Sequence, residues 1–230
     1  MSERCSLLRN IALACGLLCS SVGWAAEVEV QMHDLEGQPL ADAVVTLQGP
    51  LGLAASPAPA VMDQVDKQFL PRVLAVRSGT RVNFPNRDDI RHQVYSFSSA
   101  KRFELRLYKG TPSEPVLFDK PGLVVLGCNI HDWMLGYIYV TDDPWFAVSA
   151  ANGQLNFKQL PPGRYRVTVW HPQLADGLAQ ASADIQVPAA GLQLKLPLAV
   201  TAAPSPAKVT AAPPTGFADA FKKAANEDQP

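Results

Sequence analysis

The sequence predicts an all-β protein built of two β-sandwich modules and closed by a disordered tail. Three observations carry this. Short Val-rich runs recur between Gly, Pro and Asn residues, the spacing of short strands and turns. Several of these runs alternate apolar and polar residues with the period of two that a half-buried strand requires. From residue 200 the composition turns to Ala and Pro, with Pro204, Pro206, Pro213 and Pro214, and such a segment buries too little apolar surface to order itself. The expected division is a signal peptide at 1–25, one sandwich discontinuous over 27–50 and 141–199, a second inserted between its halves at 60–140, and the tail at 200–230.

Arg4 and Arg9 precede an apolar run over 11–22, and Gly23, Trp24 and Ala25 follow it. This is the pattern of a secretory signal peptide, and the run is short for a membrane span. The mature chain is therefore expected in the periplasm. Cys5, Cys15 and Cys19 leave with the leader, so Cys128 is the one thiol expected to remain and a disulfide framework is excluded. A formal net charge of −1 implies no basic face for nucleic acid.

In the region 27–32, Val28 and Val30 alternate with Glu27, Glu29 and Gln31; Asp34 to Gly37 then turns the chain towards a second strand at 43–47, giving a predicted hairpin. Residues 49–60, rich in Gly, Ala and Pro, read as a connector. Strands are expected at 73–76, 81–84 and 93–97. At 101–108, Phe103, Leu105 and Leu107 should face inward against Arg102, Glu104 and Arg106. The run 123–126 is continuously apolar, as a strand buried inside a sandwich is, and it delivers Cys128 at its end. A closing strand at 135–140 and two more at 152–157 and 160–170 complete the core elements. Near the end, Phe217 and Phe221 would share one face of a helical turn or two over 217–223.

Cys128, His131 and Met134 form C-x-x-H-x-x-M, a spacing with which one short loop turns three side chains towards one point, and His92 must join them from another strand. A thiolate, two imidazoles and a thioether are the ligand set of a blue-copper electron-transfer site, and soft sulfur favours copper over harder ions. Taken singly, each residue has a plainer reading. A lone cysteine is commonly a small buried hydrophobe, His92 beside Arg91 a surface residue, and Met134 a packing partner of Trp133. Their joint spacing is what promotes them. His33 beside Asp34 and His171 before Pro172 read as structural histidines rather than a second metal site.

The stretch from Gly79-Thr80-Arg81-Val82-Asn83-Phe84-Pro85-Asn86 to His92-Gln93-Val94, the turn Phe118-Asp119-Lys120-Pro121-Gly122, and the C-x-x-H-x-x-M loop together resemble the cupredoxins of the amicyanin/plastocyanin type. The spacing is similar to that of the amicyanin branch, and relatives of this kind are often called methylamine utilisation proteins. The resemblance covers about residues 62 to 140. It implies a Greek-key β-sandwich, one type 1 copper held by His92, Cys128, His131 and Met134, and single-electron transfer with transient redox protein partners. It further implies that Asn86 ties the ligand loops together by hydrogen bonds and that an apolar patch, here Ile130, Trp133 and Leu135, surrounds the edge of His131. Gln93 stands where the family often has Asn. The flanks, with Gly37-Gln38-Pro39-Leu40 and the strands near 152–157 and 160–170, resemble Ig-like sandwiches of the carboxypeptidase-regulatory-like or transthyretin-like kind; the alternative is that 27–47 adds strands to the copper sandwich.

Enzyme readings fit less well. Multicopper oxidases flank the cysteine with two histidines, whereas Gly127 and Asn129 flank Cys128 and the chain has four histidines in all. No oxyanion-hole motif accompanies Cys128 and His131 for acyl transfer. The other readings are copper storage or delivery, for which Met- or His-rich runs are absent, and a metal-free binding module on the same scaffold.

Overall fold

A computed structural model describes residues 26–50, 56–112, 114–174 and 180–201. The signal peptide at 1–25 and the predicted tail with its Phe217 and Phe221 turn lie outside the described residues, except for positions 200 and 201. Every regular element among the described residues is a strand. No helix among them is long and apolar enough to cross a membrane.

The chain begins with β1 (Ala26–His33), which turns Val28, Val30 and Met32 inward and Glu27 and Glu29 outward, and continues to β2 (Val44–Gln48), in which four consecutive residues are buried. Three short strands follow: β3 (Ala60–Val61), β4 (Asp63–Val65) and β5 (Gln68–Leu70). Next come β6 (Val73–Arg77), β7 (Thr80–Asn83), β8 (His92–Ser98), β9 (Lys101–Tyr108) and β10 (Val116–Phe118). They lead to β11 (Gly122–Gly127) and β12 (Leu135–Thr141). The last five are β13 (Trp145–Val148), β14 (Gln154–Leu160), β15 (Gly163–Trp170), β16 (Gln180–Val187) and β17 (Leu192–Pro197).

Two hydrophobic cores result. One is gathered around Val28, Met32, Leu47, Tyr165 and Trp170, between the sheets β14-β1-β17 and β13-β2-β15-β16. The other is gathered around Phe69, Phe84, Phe118, Leu126 and Ile138, with the sheets β6-β12-β11-β8-β9 and β10-β7-β3 and the small β4–β5 pair. Strand pairing thus joins 26–48 to 145–197 across the intervening chain.

Two local expectations need correction. β1 and β2 do not form a hairpin: both edges of β1 are taken, by β14 antiparallel and by β17 parallel, and β2 lies in the other sheet between β13 and β15. A strand buried at four successive positions has neither face in water, unlike a half-exposed hairpin arm. In β9 the inward alternation holds for Phe103 and Leu105 but fails at Leu107, which is exposed. A register shift between His92 and Val94 resets the pairing with β8, so that Tyr108 lies opposite His92 and turns inward instead.

The weak alternation at 135–140 has a physical cause. Ile138 and Val140 enter the core around Phe69, whereas Tyr137 and Tyr139 face the other way onto Trp170, with ring centroids 5.6 and 5.8 Å apart. Both faces of β12 are covered, so neither had to be polar. β11 runs antiparallel to β12 from Gly122 opposite Val140 to Gly127 opposite Leu135, and Gly127 also faces Tyr95 of β8. The start of β8, the end of β11 and the start of β12 therefore meet at one end of the five-stranded sheet.

Candidate metal centre

The loop between β11 and β12 is two successive tight turns. The His131 N–H donates to the Cys128 carbonyl at 3.3 Å, and the Met134 N–H donates to the His131 carbonyl at 2.9 Å. Residues at the corners of consecutive three-residue steps are thereby brought to one side, which is why C-x-x-H-x-x-M works as a spacing. Cys128 and Met134 are both buried in the core around Phe84, while His131 is half-buried and stacks at 5.4 Å, tilted, on an exposed Trp133.

His92 opens β8 and has no solvent exposure. Its Nδ1 lies 3.8 Å from the Cys128 Sγ, and the His131 Nδ1 lies 3.7 Å from the same sulfur. One ligand atom from each of these three residues lies within 4.8 Å of the other two. Three coplanar donors around a first-row ion, with bonds of about 2.3 Å to sulfur and about 2.0 Å to imidazole nitrogen, have sulfur-to-nitrogen edges of about 3.7 Å. The two sulfur-to-nitrogen edges, 3.8 and 3.7 Å, are of that length.

The approach to His92 is held by Asn86 and Asp88. The Asn86 Nδ2 donates to the Ile90 carbonyl at 2.9 Å and the Tyr108 carbonyl at 2.8 Å, its Oδ1 accepts the Asp88 N–H at 3.0 Å, and its backbone exchanges two hydrogen bonds with Gly110. Asn86 therefore closes its own loop and fastens it to the end of β9, in place of the expected link between the two ligand loops. Gln93 turns outward to Glu104, at 2.6 Å.

Asp88 carries most of the polar contact behind His92. Its Oδ2 lies 2.7 Å from the His92 Nε2 and accepts the Lys67 N–H at 2.9 Å, while its Oδ1 accepts the Asp66 N–H at 2.7 Å. Burial pushes the Asp88 carboxyl up, but the Lys67 amide, His92 and the Asp66 amide outweigh it and hold it below the usual carboxylate range. At His131 burial comes first, and with the charges of His92 and Lys67 it holds the imidazole below its ordinary value.

Two tyrosines complete the surroundings. The Tyr108 hydroxyl donates to the Phe84 carbonyl at 2.6 Å and accepts from the Gln64 amide; its pKa is pushed up to about 12, chiefly by burial. The Tyr95 ring lies against Gly127, where a Cβ would come within 2.7 Å of its Cζ, so a larger residue just before Cys128 would have to push that ring aside. The His33 Nδ1–H donates to the Asp34 carbonyl at 2.8 Å, and His171 is buried with its Nε2 2.9 Å from the Ala41 carbonyl.

The structure thus brings His92, Cys128 and His131 together and buries Met134 in the same core. Nothing in the sequence singled out Asp88 or the turn at Asp66 and Lys67. The available signal was a carboxylate four residues before a candidate ligand, within reach only once the loop is closed.

No family model matches the chain, and no curated protein matches it. Among solved structures, a Cu-containing nitrite reductase (NirK) from Thermus scotoductus SA-01 is 28% identical over 40% of this chain, with a TM-score of 0.35; the chain covers 25% of that protein's length. A purple cupredoxin from Nitrosopumilus maritimus is 19% identical, covering 36% of this chain and 100% of its own, with a TM-score of 0.32. A single-site mutant of amicyanin in its reduced state is 22% identical, covering 42% of this chain and 99% of its own, with a TM-score of 0.33. All are matches to part of the chain. In its all-β fold and in the meeting of His92, Cys128 and His131, this chain resembles the cupredoxins.

Proposed function

We propose that the protein is an exported, periplasmic type 1 copper protein that carries single electrons between transient redox partners, rather than an enzyme. The observation that carries this is the triangle of Cys128, His92 and His131, with sulfur-to-nitrogen edges of 3.8 and 3.7 Å. These three residues, with Met134 buried in the same core, would hold the ion. Copper bound there would supply a one-electron couple.

The protein's own part is rigidity. His92 starts a paired strand, Cys128 ends one, and the loop between Cys128 and Met134 is cross-tied by its own backbone. Donors fixed in this way move little when the charge of a bound ion changes. A storage or delivery site would instead be expected to open. The proposed module of 27–50 and 141–199, supported by the pairing of β1 with β14 and β17 and of β2 with β13 and β15, braces the sheet through Trp170 against Tyr137 and Tyr139.

The test is a visible spectrum of the purified protein loaded with one equivalent of Cu(II). An intense thiolate-to-copper band is expected, and Cys128→Ser should abolish it. A colourless loaded protein, or colour that survives Cys128→Ser, would remove the electron-carrier reading.

A further inference from the structure

We propose that Asp88 is a positioning residue of this centre: fixed by the β4–β5 turn, it holds His92 with Nδ1 free for the metal and sets a negative charge behind that ligand. The inference deepens the copper reading and rests on it.

The argument starts from burial. His92 has no solvent exposure, so water is not available to satisfy its rear nitrogen, and the Asp88 Oδ2 stands 2.7 Å from Nε2 in that place. A neutral imidazole has one N–H and one bare nitrogen. A carboxylate accepts and does not donate, so the proton belongs on Nε2 and the lone pair of Nδ1 is left facing Cys128.

Asp88 is itself immobilised. The Asp66 N–H reaches its Oδ1 at 2.7 Å, the Lys67 N–H its Oδ2 at 2.9 Å, and its own N–H donates to the Asn86 Oδ1. Asp66 and Lys67 have φ of 54° and 58°, the left-handed region that side chains other than glycine rarely adopt. Both amides point at one carboxylate, which offsets the cost of keeping two non-glycine residues there. The turn, Asp88 and His92 form one unit: a carboxylate bound to the far nitrogen of a metal-binding histidine, which orients the ring and fixes which nitrogen carries the proton.

Two consequences follow. Losing the carboxylate lets the His92 proton divide between its two nitrogens, weakening metal binding. It also removes a negative charge that favours the oxidised ion, so reduction becomes easier.

The experiment uses full-length Asp88→Ala and Asp88→Asn. In apoprotein labelled with 15N-histidine, wild-type His92 should show a protonated Nε2 and a bare Nδ1. The Ala variant should show a mixture, and the Asn variant, which keeps the size of the side chain, a partial shift in the same direction. Cu(II) affinity should fall about 10- to 100-fold in Asp88→Ala. A tenfold shift towards the reduced ion in either variant would read as a rise of about 59 mV in potential. Variants that melt earlier but keep the wild-type ring-nitrogen signals would make Asp88 a turn brace only and overturn the proposal. Because those signals are read without metal, they judge Asp88 even if the wild type fails to bind copper, an outcome that would fell only the copper reading. Should Asp88→Ala not fold, Asp88→Asn decides.

Discussion

His92 and His171 stand one beside each core, and the contrast between them shows what separates a candidate ligand from a structural histidine. Both are buried, and both set Nε2 against an oxygen: the Asp88 carboxylate at 2.7 Å for His92 and the Ala41 carbonyl at 2.9 Å for His171. They differ at the other nitrogen. The Nδ1 of His171 accepts the Gln173 N–H at 3.1 Å, which ties the end of β15 to the loop between β1 and β2. The Nδ1 of His92 faces a thiol at 3.8 Å and a second imidazole beyond it. Burial alone does not mark a metal site. A buried imidazole whose lone pair meets other soft donors does.

Substitution at the two positions should break this comparison most sharply. His92→Ala is expected to abolish tight copper binding, while His171→Ala leaves one copper bound and an unchanged spectrum. His171→Ala should instead destabilise the apoprotein by about 1–3 kcal/mol, because the Ala41 carbonyl and the Gln173 N–H lose their partner in a buried place. Metal analysis after gel filtration and urea unfolding of the apoproteins read the two effects separately. Copper lost equally from both variants would mean that His171 belongs to the site.

This contrast was only half legible in the sequence. C-x-x-H-x-x-M could be read directly, because its three side chains lie on one loop whose local turns are set by spacing. The alternation of 27–32 and the apolar run at 123–126 gave strands for the same reason: a side chain's face is fixed by its neighbours. What could not be read depends on distant chain. The tie between Asp88 and the amides of Asp66 and Lys67 joins residues about twenty positions apart. The two-sided burial of β12 depends on Trp170, which belongs to the other core. The β1–β2 connection looked like a hairpin because a polar turn between two apolar runs is the same whether the chain folds back in one sheet or crosses to another.

A smaller effect separates the two histidines of the centre itself. His92 is sealed, whereas His131 lies beside exposed Ile130, Trp133 and Leu135, so the apolar surface expected from the sequence is present there. Ile130→Lys and Leu135→Lys should each slow electron exchange with a soluble protein partner by about tenfold, equivalent to about 1.4 kcal/mol of contact. The visible spectrum should not change. Stopped-flow mixing with the partner reads the rate, and wild-type rates in both variants would place the exit elsewhere.

The smallest effect concerns the charge of His171. Burial holds its pKa below the ordinary 6.5; the Arg72 charge acts in the same direction, while the Ala41 hydrogen bond and Asp42 oppose them. Protonation would put a second N–H on Nδ1, facing the Gln173 N–H donor at 3.1 Å. The folded state therefore takes up its proton at lower pH than the unfolded chain does. Stability from this group is complete above pH 6.5 and declines as pH falls from there to the folded pKa, because the unfolded state binds the extra proton in that window. His131, whose imidazole is also held low in the apoprotein, contributes a loss of the same sign. Comparing wild type with His171→Ala separates the two, since His131 is present in both. Urea unfolding of the apoproteins at pH 7.5 and pH 5.5 should show wild type losing more stability than the variant. Equal losses would mean that His171 takes up its proton over the same pH range in the folded and unfolded states, so that its burial beside Ala41 does not disfavour the charged ring.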